Sequence, residues 1–464
     1  MPQQLSGMDA TFLAAESDRA FMHGLGIVRL VAGTGPRLTR DELTELITRR
    51  LDRLEPLRRQ LVPVPGGLDQ PWWIRVTPKV DQHLSHVVLP GDEPDELEEL
   101  CAVITATPLG RDRPMWHIWL VDGLPGDAQA LLFKMHHSVS DGVGAMVIIS
   151  NILDTERVGS GGGGERPEGD EEEPSPGWLL ARAAARHWHL PIDLARTGVE
   201  IGSSLARIAR LGLGSHADMA VPLVTPHLEM NGTVSARRTV ALRELSLAEV
   251  KSVAHTAAVH VNDVILAVVA GGLRRWLDDH GDLHDQPLVA AVPVSVRTPE
   301  ELNAAGNKVS ACFVHLATHI ADPVERLRWA ADAATGAKAA QVALGAHTFE
   351  HLASVFDPNL VGAGMALYNG LRLSRAHPPA VNVIVSNVAG PSWPFYLAGR
   401  DVESLAALGP IFDGVPLNLT AVSYQDRLSL AFVACPKLVP DLDALAGATE
   451  ECLDDLVRSI ALDL

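Results

Sequence analysis

The sequence predicts an α/β protein made of two related units, each a mixed sheet flanked by helices. Three observations predict it. Short apolar runs alternate with helical patterns through both halves of the 464 residues. A Gly- and acid-rich stretch over 159–177 divides the chain. The nearly continuous apolar run Ala128 to Met135 has the composition of a strand covered on both faces.

In the first part, residues 1–158, Thr39-Arg-Asp-Glu42 is a capping box. The helix it opens carries Leu43, Leu46, Ile47, Leu51 and Leu54 on one face. Trp73 to Val76 and Ala128 to Met135 read as strands, and Gly142 to Leu153 as a mostly apolar helix. The 159–177 segment reads as a flexible linker, with Asp170, Glu171, Glu172 and Glu173 as a solvated run. A helical connector follows over 178–230. It is a basic island, with Arg182, Arg186, Arg196, Arg207 and Arg210 among Trp188, Leu190, Ile201 and Leu205. Two readings stand: a bridge packed across the halves, or an interfacial helix on anionic lipid. The second part, 231–464, repeats some of the plan. Ser246-Leu-Ala-Glu249 precedes one helix, and another starts at Asn262 with Ile265, Leu266, Val269, Leu273, Trp276 and Leu277 on a stripe. Strands are expected at Leu288–Val296, Ala311–Ala317, Val381–Val385 and Ser429–Ala434, and a last helix from Asp441.

Composition narrows the function. The net charge of −19, from 38 basic and 57 acidic residues, leaves no basic stripe to displace counterions, so nucleic acid is not an expected partner. Cys101, Cys312, Cys435 and Cys452 include no C-x-x-C pair, so neither a zinc site nor a disulfide framework is indicated. The opening residues lack a basic stretch followed by an apolar run, and no apolar run reaches the length of a spanning helix. The expected location is cytoplasmic, with peripheral contact at the inner membrane or lipid droplets.

The chemistry concentrates in His136-His137-Ser138-Val139-Ser140-Asp141-Gly142, between a strand and a helix. A hydroxyl attacks poorly until a base takes its proton, and histidine titrates near neutral pH. A strand end is a rigid platform for such a base. Gly142 permits close backbone approach or an unusual dihedral. Asp141, opening a helix, fits an ion pair that fixes the loop, with Arg297 as the candidate partner. No Gly-x-Ser-x-Gly elbow, Walker or dinucleotide motif appears. His23, His86, His117, His315 and His319 stand singly and are expected to be packed or exposed.

The pattern H-H-x-x-x-D-G after a strand resembles the signature of the CoA-dependent acyltransferase superfamily. That superfamily includes chloramphenicol acetyltransferase and peptide-synthetase condensation domains. Along residues 5–440 the chain resembles the bacterial wax ester synthase/acyl-CoA:diacylglycerol acyltransferase family. The matching segments are Leu5-Ser-Gly-Met-Asp9-Ala-Thr-Phe12-Leu13, Met22-His23, Pro114-Met115-Trp116, Asn262-Asp263, Val292 to Arg297, Gly306-Asn307, and Ser386-Asn387 with Gly390-Pro391. Met115 and Ala389 depart mildly from the family pattern. Taken alone, Asn262 is equally a helix N-cap, Trp116 a strand anchor, and Ser386-Asn387 a strand entering a turn.

The resemblance implies two chloramphenicol-acetyltransferase-like domains with an active-site tunnel at their interface. It also implies His137 as general base and a structural Asp141. Asn262 and Ser386 are the candidate oxyanion donors. The implied reaction transfers a long-chain acyl group from acyl-CoA, a co-substrate rather than a cofactor, to diacylglycerol or a long-chain alcohol. No metal or other cofactor is expected. Two alternatives remain: a condensation-type enzyme with a carrier-protein donor, and a non-catalytic lipid-droplet-binding protein on the same fold.

Overall fold

A computed structural model describes residues 2–33, 36–91, 93–157, 169–186, 188, 220, 224–295, 307, 309–344, 364, 367 and 377–462. The first half runs β1 (Gln3–Gln4), α1 (Gly7–Ala15), β2 (His23–Leu30), α2 (Arg40–Arg50), β3 (Arg59–Val62), β4 (Trp72–Arg75), β5 (Leu84–Val88), α3 (Glu96–Thr105), β6 (Trp116–Leu124), β7 (Ala128–His136) and α4 (Gly142–Ile152). The second half begins with β8 (Thr239–Ser246), α5 (Leu247–Thr256), α6 (Val261–Asp279), β9 (Leu288–Ser295), β10 (Val309–Leu316) and α7 (Pro323–Leu344). It ends with β11 (Val383–Ala389), β12 (Tyr396–Leu397), β13 (Arg400–Leu408), β14 (Leu417–Tyr424), β15 (Arg427–Ala434) and α8 (Leu442–Leu462).

Two six-stranded mixed sheets result, ordered β12-β13-β2-β7-β6-β5 and β10-β9-β11-β14-β15-β8, beside a small sheet β1-β4-β3. The first large sheet is not made by the first part of the chain alone. β13 pairs antiparallel with β2, with Leu408 opposite Leu25 and Leu405 opposite Val28. Residues 396–408 therefore leave the second unit and complete the sheet of the first. A division at residue 231 by chain order does not follow sheet membership, because pairing obeys proximity in space.

All nine residues of β7 are buried, as its apolar run requires. One face of its sheet packs on α1, α2 and α4 through Leu13, Leu43, Ile47, Ile148 and Ile149. The other face meets Leu97 and Cys101 of α3, then Ala431 and Val433 of the second sheet. That shared core joins the two units. The second sheet lays its other face on α5 to α8. α6 and α8 approach so closely that a Cβ at Gly272 would stand 2.1 Å from Thr449 Oγ1.

Local signals account for several boundaries. Thr39 and Glu42 form the reciprocal capping box of α2, and Ser246 accepts the Glu249 N–H at the start of α5. The four cysteines are free and buried. Residues 159–168 of the expected linker lie outside the described residues. The acidic run does not stay solvated throughout: the Glu171 and Arg75 backbones and the Glu171 carboxylate hydrogen bond at 2.8 and 2.9 Å, docking the segment along β4. The helix over 176–186 then buries Leu179 and Ala183 against Val62, Trp72 and Ile74. Arg186 reaches the buried Asp69 carboxylate at 2.5 Å. This part of the connector packs on the small sheet of the first half; Arg196, Arg207 and Arg210 lie outside the described residues. No single described helix is long and apolar enough to cross a membrane.

Candidate active site

β7 ends at His136, paired with His23 of β2. A turn follows at once, closed by the Val139 N–H donating to the His136 carbonyl at 3.0 Å. The two histidines have different environments. His136 is 1% exposed, and its Nδ1 accepts the Ser138 N–H at 3.0 Å. His137 keeps part of its surface open. Its N–H donates to Met22 O at 2.8 Å, and its ring stacks on Phe12 with centroids 5.2 Å apart. The Nε2 side faces Gly24, where an added Cβ would lie 3.7 Å from the nitrogen.

Burial lowers the His137 imidazole to about 4, outweighing the Asp141 carboxylate that pulls the other way. Burial also holds His136 well below its ordinary value. Both rings are therefore neutral at neutral pH.

Asp141 is the N-cap of α4, its Oδ1 accepting the Gly144 N–H at 2.7 Å. Arg297, its expected ion-pair partner, lies outside the described residues. Gly142 begins α4 without a positive φ, and a Cβ there would meet Val388 Cγ2 at an ordinary 3.7 Å. The expected unusual dihedral is absent, since helical backbone suits any residue at this position. The contact with Val388 nevertheless brings the histidine loop against β11.

β11 carries Ser386 and Asn387, which lie opposite Thr420 and Ala421 of β14. Asn387 Nδ2 donates to Asn262 Oδ1 at 3.3 Å. Asn262 is not the N-cap of α6. His260 holds that place, and Asp263, at N3, accepts the His260 N–H at 2.8 Å. Gly390, just past β11, cannot carry a side chain: a Cβ would fall 2.1 Å from Ser423 O.

Pro114 and Trp116 set the neighbouring strand. Pro114 O accepts the Trp116 N–H at 2.9 Å, and Met115 O accepts the His136 N–H at 3.0 Å. The buried Trp116 ring stacks on His83 at 4.2 Å and donates Nε1–H to Leu57 O at 2.8 Å. These residues anchor the strand beside His136. A cavity of about 270 Å³ opens nearby, lined by His117, Trp119, Lys134 and the 107–114 loop. Lys134 donates to Ile104 O at 2.6 Å, and burial lowers its ammonium to about 7.

Two site residues were quoted in sequence segments without a role. Asn307 donates Nδ2–H to the His137 carbonyl at 2.6 Å and to Asp9 Oδ1 at 2.6 Å. Its backbone N–H reaches the same Asp9 oxygen at 3.2 Å. Asp9 is buried on α1, and burial raises its carboxyl against the opposing hydrogen bonds from Asn307 and Ser6. Thus the second unit grips the backbone of His137. The signal the sequence carried was the place of Asp9 and Asn307 in segments that match the family pattern.

Two mixed sheets, the first completed by a strand that crosses over from the second half, with a histidine pair at a strand end beside their junction, define a chloramphenicol-acetyltransferase-like fold. The wax ester synthase/diacylglycerol acyltransferase catalytic domain model matches residues 5–265, and the C-terminal domain model of the same family matches residues 305–457. The chain belongs to the wax ester synthase/diacylglycerol acyltransferase family and is an acyltransferase. A Mycobacterium tuberculosis (strain ATCC 25618 / H37Rv) protein named as a probable diacylglycerol O-acyltransferase is 32% identical over 464 residues, covering 98% of each chain. The solved wax ester synthase/diacylglycerol acyltransferase of Marinobacter aquaeolei VT8 is 24% identical, with a TM-score of 0.69 over 99% of this chain and 100% of that one. The first condensation domain of the calcium-dependent antibiotic synthetase shares the fold at 17% identity, with a TM-score of 0.60 over 99% and 97% of the two chains.

Proposed function

We propose that the protein transfers a long-chain acyl group from acyl-CoA to the hydroxyl of diacylglycerol or a long-chain alcohol, yielding triacylglycerol or wax ester, with His137 as general base. The observation that carries this reading is a neutral imidazole directly after a strand end, in a half-buried residue whose backbone is gripped by Met22 and Asn307.

In this mechanism the acyl donor and the alcohol approach along the seam between the two units. The neutral His137 ring takes the hydroxyl proton as oxygen attacks the thioester carbonyl. Asn262, whose Oδ1 is engaged by Asn387, and Ser386 are the candidates to donate to the developing oxyanion. When the tetrahedral species collapses, the C–S bond breaks and the imidazolium returns its proton to the CoA thiolate. The bonds balance with one acid–base group and without an acyl-enzyme, so no separate cofactor is required by the step.

The products are insoluble, so the enzyme works against a membrane or droplet surface. Arg182, stacked over Trp178 at 5.2 Å, and Trp188, 84% exposed, are the described residues offered for that contact. Arg186, tied to Asp69, is withdrawn from it. If Arg182→Glu with Trp188→Ser leaves sedimentation with anionic vesicles unaltered, this contact lies elsewhere.

The main test mixes palmitoyl-CoA with diolein or hexadecanol and follows CoA release. Release is expected from the wild type, and a loss of about 10²–10⁴-fold in His137→Ala. Turnover restricted to carrier-protein-borne acyl groups would make this a condensation-type enzyme, and no turnover with any donor would favour a lipid-binding role.

A further inference from the structure

Helix α1 presents a single stripe to the His136–His137 corner. Asp9, Phe12 and Glu16 follow one another at i, i+3 and i+7. Asp9 acts on the His137 carbonyl through Asn307, and Phe12 stacks on the His137 ring. Glu16, the C-cap of α1, faces the other histidine.

Glu16 Oε1 lies 3.2 Å from His23 Nε2 and 3.7 Å from His136 Nε2. The two imidazoles, 4% and 1% exposed, meet edge to face at 5.2 Å. Arg111 holds the other carboxylate oxygen at 2.5 Å. Burial would raise the Glu16 carboxyl, but His23, His136 and Arg111 together outweigh it and hold it at about 2. Among the described residues, Glu16 Oε1, His23 Nε2 and His136 Nε2 make no hydrogen bond of ordinary geometry, and they are one another's nearest polar neighbours. These buried atoms must satisfy one another.

The His136 tautomer follows from its other nitrogen. Nδ1 accepts the Ser138 N–H at 3.0 Å and lies 2.7 Å from Ser138 Oγ, which can donate to it as well, so a neutral ring carries its proton on Nε2, toward Glu16. That N–H···Nδ1 bond lies inside the turn closed by Val139 N–H and His136 O, and His137 is the turn's second residue. A proton on Nδ1 could be taken by Ser138 Oγ, but it would set Nδ1–H and the Ser138 N–H against each other inside the turn. The three ligand atoms also lie within 4.8 Å of one another, a spacing a divalent cation could use. A metal at His136 Nε2, however, would require that ring to become an imidazolate, with the Arg111 guanidinium opposing the added charge.

We propose that Glu16 is a positioning residue for acyl transfer: it accepts the Nε2–H of His136, fixes that tautomer, and through the Ser138 N–H bond holds the turn that aims His137. The proposal rests on the reading of His137 as the base.

The test combines histidine ¹⁵N NMR with kinetics on the full chain, His136 being assigned by its disappearance in His136→Gln. In the wild type, His136 should carry its proton on Nε2. In the isosteric Glu16→Gln, the His136 signal should move to mixed tautomers. Its kcat should drop about tenfold or more, with KM for palmitoyl-CoA changed less than about twofold. Glu16→Asp, which keeps the charge, should recover part of kcat. An Nδ1-protonated His136 in the wild type overturns the proposal, and this spectrum decides even if Glu16→Gln does not fold. So does wild-type kcat in Glu16→Gln, or a lowered kcat with an unchanged His136 signal. Stoichiometric zinc in the purified wild type, lost in Glu16→Gln, would replace the proposal with a metal site. If the wild type releases no CoA with any acceptor, the base assignment fails, while the spectra still decide what holds His136.

Discussion

The side-chain amide of Asn307 donates to the main-chain carbonyl of His137 at 2.6 Å, across 170 residues of sequence. It also reaches Asp9 at 2.6 Å, so α1, the histidine turn and the second unit meet at one amide. Main-chain position at the proposed base is thereby set by a residue of the opposite unit.

Removing that amide tests the grip. Asn307→Ala removes the donor to the His137 carbonyl and leaves Asp9 Oδ1 only the residue 307 backbone N–H, which costs roughly 1–3 kcal/mol. It should also lower kcat by about tenfold or more through displacement of His137. Asn307→Asp should be worse at neutral pH, since it sets a carboxylate against Asp9 and a carbonyl. CoA release and thermal melting measure both; an unchanged kcat in Asn307→Ala would mean the contact does not position the base.

The pH dependence has a definite sign. With the His137 imidazole held at about 4 by burial, the acid limb of kcat/KM should lie near pH 4 and not near 6.5. Because the folded pKa is depressed, the folded state binds fewer protons than the unfolded one between about 4 and 6.5. Stability should therefore be retained above 6.5 and fall as the pH drops through that window. His136 and His117, both lowered chiefly by burial, act in the same direction. Melting temperatures measured from pH 8 to 4 check the sign, and a flat profile would contradict the depressed values.

Gly24 leaves the space beside His137 Nε2. A valine there suits a strand but projects into the side of the ring that the alcohol reaches in the proposed mechanism. Gly24→Val should cut kcat/KM by about 10²-fold with little change in melting temperature. Normal turnover of hexadecanol in this variant would mean that the acceptor approaches from another direction.

Trp116 anchors β6 through Leu57. Trp116→Phe keeps most of the ring but leaves the Leu57 carbonyl without that donor, so stability should fall by about 1–3 kcal/mol. Denaturant titration reads the change directly, and an unaltered midpoint would show the bond to be dispensable.

Much of the local structure was legible from the chain. β7 was visible as an apolar run, and α2 as a capping box with a stripe. Both depend on neighbours within a few residues. The start of α6 was placed only to within a residue or so, because His260 is not a strong capping residue and Asn262 is. Asp170 and Glu171 read as solvated because acidic runs usually are, yet β4 offers Glu171 backbone partners. The sheet that β13 would join could not be read, since any apolar strand of that length fits either sheet. Glu16, His23 and Asn307 each look ordinary in isolation.

From the sequence by itself came the alternation of strands and helices, the family pattern and the histidine pair between β7 and α4, all carried by spacing along the chain. Tertiary structure alone decided which histidine stays open, what grips it and which strand joins the two units. Those outcomes depend on burial and on hydrogen bonds between residues hundreds of positions apart, which no local pattern encodes.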